Sequence, residues 1–207
     1  MNQNDLVAAF RLKADDNAAP YLWSDDEIIM YLGEAEAEAV DRSRILTGSE
    51  AISLVAGTAE YALDQKTLEV TRAKIGTTVV TRIAIEDLDA FWPGWESAVG
   101  TPKHYFLDGQ NIRVVPIPTD VATLNLTTER LPVAMAITGP EIHAKHHMRL
   151  LDWALHLAFS KRDADTYDEN KARGYEADFE RSFGPKVPAD VQKEQLKHRP
   201  TIVRGDF

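Results

Sequence analysis

Four histidines between positions 143 and 156 form the densest group of metal-capable side chains: His143, His146, His147 and His156. On a helix His143 and His147 would share a face, where two imidazoles can hold one ion together. A hydrolytic zinc helix also needs a glutamate directly after the first histidine. Here the order is His143-Ala144-Lys145-His146-His147, and the lysine would repel a cation. These residues are therefore expected to be ligand-free surface and groove histidines. Asp25-Asp26-Glu27 is the closest run of carboxylates that could be imagined as a catalytic pair. It follows Ser24 at a helix start, where the partial positive charge of the N-terminus favours acidic groups without any chemistry. There is no Gly-x-Ser-x-Gly elbow, no glycine-rich phosphate loop and no cysteine, which removes thiolate zinc sites, disulfides and a cysteine nucleophile. The expectation is a protein that is not an enzyme, with no catalytic residue, no metal and no cofactor.

The elements around these residues are legible from their periodicity. Asn4 to Lys13 reads as a short helix with Leu6, Val7 and Phe10 on one side. Ser24 and Glu27 then form a capping box, with Trp23 and Ile28 at staple positions. Ile28, Leu32, Ala35, Ala39 and Leu46 recur at helical spacing, with Glu34, Glu36 and Glu38 on the other faces and Thr47-Gly48-Ser49 closing the helix. Ala35 and Ala39 let a second helix approach closely. That partner returns after Pro140, expected at a first helical position, in Met148, Leu151, Leu155, Ala158 and Phe159. A last helix, capped by Asp163 or Asp165, carries Tyr167, Tyr175, Phe179 and Phe183 and stops at Gly184-Pro185.

Between the helices the period is that of strands. Residues 51–55, 60–63, 68–75, 77–85, 103–107, 111–115 and 123–130 are short runs rich in Val, Ile, Thr and aromatics, separated by turns such as Gly76 and Asp108-Gly109. The connection from Glu86 to Pro102 carries Phe91, Trp92 and Trp95 around Pro93-Gly94. Those rings either cover an open end of the β-domain or form an exposed contact patch toward a subunit or tail. The fold class is therefore α+β: an antiparallel helical bundle drawn from both chain ends, an inserted β-sandwich or barrel, and an extended C-terminal tail. The expected domains are 1–49 with 132–184 for the bundle, 50–131 for the β-domain and 185–207 for the arm.

Charge narrows the partners. The net charge is −10, which opposes broad binding to nucleic-acid phosphates but suits a wall that DNA slides past. Residues 185–207 hold five basic and three acidic side chains, a net +2 that leaves −12 on the body. An arm so charged is suited to docking on an acidic partner or a neighbouring copy. No run approaches the roughly 20 apolar residues of a membrane span, and Met1-Asn2-Gln3-Asn4-Asp5 has no export-signal pattern.

Three stretches together resemble the head-to-tail adaptor, or connector, proteins of tailed bacteriophages, some of which are similar to tail tubular proteins. They are Trp23-Ser24-Asp25-Asp26-Glu27-Ile28; Gly100-Thr101-Pro102-Lys103-His104-Tyr105 through Pro116-Ile117-Pro118; and Leu151-Asp152-Trp153-Ala154-Leu155 through Phe183. The resemblance implies a structural virion protein at the head–tail interface, assembled in the bacterial host cytoplasm into a ring, usually dodecameric. Such a ring has the portal protein on one side, a tail or nozzle protein on the other, and a channel that passes DNA without binding it specifically. It also implies a portal-docking arm, here with Val191, Leu196, Ile202, Val203 and Phe207 as apolar anchors and Lys197, Arg199 and Arg204 as charged ones. The competing expectation is a monomeric binding module whose groove surrounds Trp92 and Trp95. A third reading is a metal-dependent hydrolase that would use His143 and His147.

Overall fold

The computed structural model describes residues 1–162, 165–188 and 191. Its contacts divide into two compact units, one of Met1–Leu46 with Leu131–Lys186 and one containing Thr47–Arg130.

In the first unit, α1 (Gln3–Ala14) begins with a reciprocal cap in which the Asn2 side chain accepts the Asp5 N–H at 2.8 Å and Asp5 accepts the Asn2 N–H at 3.0 Å. Helix α2 (Asp25–Ser43) begins with the Ser24–Glu27 capping box, each partner bonding the other's backbone N–H at 3.2 Å. It stops earlier than its sequence suggests. Arg44 takes the left-handed conformation at φ 52° and bonds back to Val40 O, so Leu46 lies outside the helix and Thr47-Gly48-Ser49 open a strand instead of closing α2. Trp23, 1% exposed, is wedged edge-on between Phe10 and Phe159, with ring centroids at 5.7 and 5.5 Å.

Helix α4 (His147–Ser160) follows a short 3-10 turn at Ala144–His146, so Pro140 precedes the helix by several residues and is not its first position. Met148 is exposed; the buried stripe runs through Leu150, Leu151, Ala154, Leu155 and Ala158. Helix α5 (Glu169–Phe183) is capped by Asp168, which accepts the N–H groups of Asn170 and Lys171. Asp165 therefore is not the cap, and Asp163 lies outside the described residues. Helix α4 packs against α1, α2 and α5. Ala35 and Ala39 are fully buried. The Lys13–Asp152 and Lys161–Glu27 ion pairs (the latter 2.8 Å) tie residues of the first two helices to the end of the chain's helical part.

Among the described residues the second unit holds nine strands: β1 (Thr47–Leu54), β2 (Glu60–Ala62), β3 (Thr67–Ile75), β4 (Thr78–Arg82), β5 (Val99–Gly100), β6 (His104–Asp108), β7 (Asn111–Val115), β8 (Ile117–Pro118) and β9 (Ala122–Arg130). Seven of them form one sheet in the order β1-β9-β3-β4-β6-β7-β2, while β5 and β8 pair separately. Of the two forms expected, sandwich or barrel, the strands take the second: a single sheet curls into a nearly closed barrel. Its two outer strands meet through side chains: the Tyr61 hydroxyl of β2 accepts the Val55 N–H at 2.9 Å, and Glu50 of β1 accepts the Asp64 N–H at 3.1 Å. Leu54, Val70, Val80, Tyr105, Ile112, Val114, Leu124 and Leu126 fill the interior. Gly76 and Gly109 supply the positive φ, 57° and 58°, that the β3–β4 and β6–β7 turns require.

Strands β4 and β6 run parallel. A parallel pair cannot be joined by a tight turn, so residues 83–103 must cross over. They do so as α3 (Ile85–Phe91), a 3-10 turn at Trp95–Ser97 and β5. The aromatic connection is this crossover, and Ile85 belongs to its helix, not to the strand that precedes it.

Candidate functional site

The histidines are separated by their hydrogen bonds. His143 is exposed and its Nδ1 accepts the Lys145 N–H. His147 is buried, with Nε2 2.9 Å from Ile142 O and Nδ1 3.2 Å from the Met1 amine. His156 contacts Ala172 O at 3.0 Å and stacks on Trp153. Burial and the positive charges around it, Lys145 first, lower the pKa of His146. Among the described residues no group of three or more His, Asp or Glu side chains is placed to hold a metal ion. The acidic first turn of α2 is absorbed by local bonds: Glu27 is held below the usual carboxylate range by Lys161 and by the Ser24 N–H.

The crossover rings divide into two roles. Trp95 is 6% exposed, packs edge-on to Phe106 at 5.6 Å, donates its indole N–H to Asp89 at 2.8 Å and lies under the Arg113 guanidinium. Trp92 is half-buried beside the same Leu88–Trp95–Phe106–Val115 cluster. Phe91 is 84% exposed, and the apolar side chains Ile85 and Val99 of the same crossover are exposed too. Of the residues expected to dock on the portal, only Val191 falls within the described residues, where it is exposed. Leu196, Lys197, Arg199, Ile202, Val203, Arg204 and Phe207 lie outside them.

One concave surface was not visible in the residue pattern. Helices α2 and α4 with Leu131 form a groove floored by Ala37, Leu131, Trp153 and Leu157 and rimmed by Glu34, Glu38 and Asp41. Its floor is braced by Arg42, whose guanidinium lies over the Trp153 ring at 4.7 Å and the Phe179 ring at 5.2 Å. The same group bonds Glu38 at 2.8 Å and donates to Gly184 O at 3.3 Å. The signal in the sequence was indirect: acidic residues at 34, 38 and 41 share one face of a helix, and Trp153 lies on the helix expected to pack beside it.

Among the described residues, the crossover and the groove both offer apolar area edged with charge. That is the chemistry of docking. The family model described as SU10 adaptor protein matches residues 1–204. The chain belongs to the SU10 adaptor protein family. This adaptor is therefore a structural component of a tailed-bacteriophage particle with a head-to-tail adaptor role, in keeping with the resemblance carried by its three sequence stretches. A solved structure titled "Neck of empty GTA particle computed with C6 symmetry" contains a chain 16% identical to the adaptor. The match covers 88% of this chain and 91% of that one, at a TM-score of 0.32. No curated protein matches the adaptor. No helix among its described residues is long and apolar enough to cross a membrane.

Proposed function

We propose that the adaptor assembles as a ring, of twelve copies in the dodecameric form, between the portal protein and a tail or nozzle protein, and that the ring encloses a channel for DNA. The observation that carries this reading is the family match over residues 1–204. In this reading the helices from both chain ends act as one antiparallel bundle packed side by side around the ring. The β-domain faces the tail and presents Phe91 with the edge of Trp92. Trp95, sealed in the crossover core, sets the shape of that contact. The arm of residues 185–207 reaches the portal.

The charge supports passage without retention. A net −10 repels phosphate, so DNA inside such a ring is guided and not held. The arm, opposite in sign to the body, supplies a contact that electrostatics can steer. The virion is the place of action, after assembly in the host cytoplasm. Removing residues 185–207 and measuring co-sedimentation with portal assemblies tests the arm's part. The expected result is loss of portal attachment with the unfolding midpoint of the body unchanged; normal attachment of the shortened chain would refute the arm's role.

A further inference from the structure

We infer that the α2–α4 groove receives the basic stretch around Lys193 and Lys197 from the arm of a neighbouring copy, as an inter-subunit clasp used before the arm's last residues reach the portal. The occupant follows from charge, from fit and from reach. On the rim Glu38 is paired with Arg42 and Asp41 with Arg44 at 3.4 Å, whereas among the described residues no ion pair is formed by Glu34, so the groove keeps an open carboxylate for a further cation. The floor is apolar and aromatic, so it can take the methylene stems of lysines while the rim takes their charges.

The rim already accepts one lysine from the same part of the chain: Lys186 Nζ stands 3.7 Å from Glu38 Oε1. From Lys186 to Arg199 an extended chain reaches about 40 Å, several helix diameters, so a copy packed alongside is within range. This placement uses the first half of the arm and leaves Ile202, Val203 and Phe207 for the portal. It rests on the arm proposed above, but it is a contact between copies and is measured with no portal present.

The test is a fluorescence-polarisation titration of a labelled synthetic peptide of residues 185–207 against three full-length proteins. These are the natural chain, a groove variant (Glu34→Lys with Asp41→Lys) and a tail variant (Lys193→Glu with Lys197→Glu). The expected result is saturable binding to the natural chain and the tail variant, weakened about tenfold or more by the groove variant and by high salt. A peptide carrying Lys193→Glu and Lys197→Glu should regain affinity for the groove variant, and that rescue excludes misfolding as the cause. Three results would each overturn the clasp: no binding to any of the proteins, binding indifferent to the groove charges, or a natural chain no more self-associated in light scattering than the tail variant. The last would mean that no arm crosses between copies. A positive clasp with failed portal co-sedimentation, or the reverse, separates this inference from the proposed function.

Discussion

Glu36 reaches from the middle of α2 to the segment before α4 and accepts the backbone N–H of Ile142 at 3.1 Å and that of its neighbour Glu141 at 2.6 Å. The carboxylate is 1% exposed. One side chain thus satisfies two donors that the turn would otherwise leave unpaired, and it joins parts of the chain 106 positions apart. Charge-assisted bonds of this kind persist in a dry setting because removing one partner leaves the others unsatisfied.

Glu36→Ala is expected to destabilise the first unit by about 2–3 kcal/mol, since the buried Ile142 N–H and the part-buried Glu141 N–H lose their acceptor, at roughly 1–3 kcal/mol for a fully buried donor. Glu36→Gln keeps an acceptor oxygen and should cost less. Urea unfolding of the three proteins, followed by tryptophan fluorescence, checks the order.

Arg42 is expected to resist conservative exchange. Its planar group stacks on Trp153 and Phe179 while bonding Glu38 and Gly184 O, and a lysine cannot do both. Arg42→Lys should lose about 1–2 kcal/mol and Arg42→Ala about 3 kcal/mol or more, because Glu38 then loses its closest cation. Thermal unfolding with far-ultraviolet circular dichroism would show it.

The Ser24 cap gives a smaller effect. Ser24→Ala removes the acceptor for the Glu27 N–H and is expected to cost about 1 kcal/mol, while Ser24→Asp should be nearly neutral. Equal stability of the Ala variant and the natural chain would show that packing alone fixes the start of α2.

Stability should also fall in the mildly acid range. Burial, with Lys103 adding to it, lowers the pKa of His104 below its ordinary 6.5, and among the described residues its Nδ1 has no hydrogen-bond partner. As pH drops through 6.5 the unfolded chain takes up that proton first, so stability declines until the folded-state value is passed and then levels. Glu27 acts lower on the scale. Its depressed pKa contributes stability that is present above its ordinary 4.5 and is lost as pH falls through the folded value. His104→Leu should flatten the first decline and Lys161→Ala the second, as read from urea midpoints between pH 7.5 and 3.5.

The sequence and the structure agree where the determinants are local. The Ser24–Glu27 box, Gly76 and the Asp108-Gly109 turn each need only a few neighbouring residues, and their chemistry is specific to one geometry. The end of α2 is not legible in the sequence because the residue that turns left-handed is Arg44, which carries no glycine signal. The last helix had several aspartates from which to choose its cap, and only Asp168 has the spacing that the backbone adopts. The parallel β4–β6 pair could not be read at all, since it is set by contacts between distant residues. Once it exists, the crossover explains why Trp95 is buried while Phe91, four residues earlier, is not. Glu36 looked like part of an outward acidic face with Glu34 and Glu38; its burial depends on backbone donors more than 100 positions away.

The adaptor role is tested most directly by the mass of the purified protein in solution, alone and after mixing with a portal assembly, measured by light scattering. The portal should gain the mass of a full ring of adaptor copies, in a ratio set by the symmetry of that ring. An adaptor that stays free, leaving the portal's mass unchanged, would contradict it.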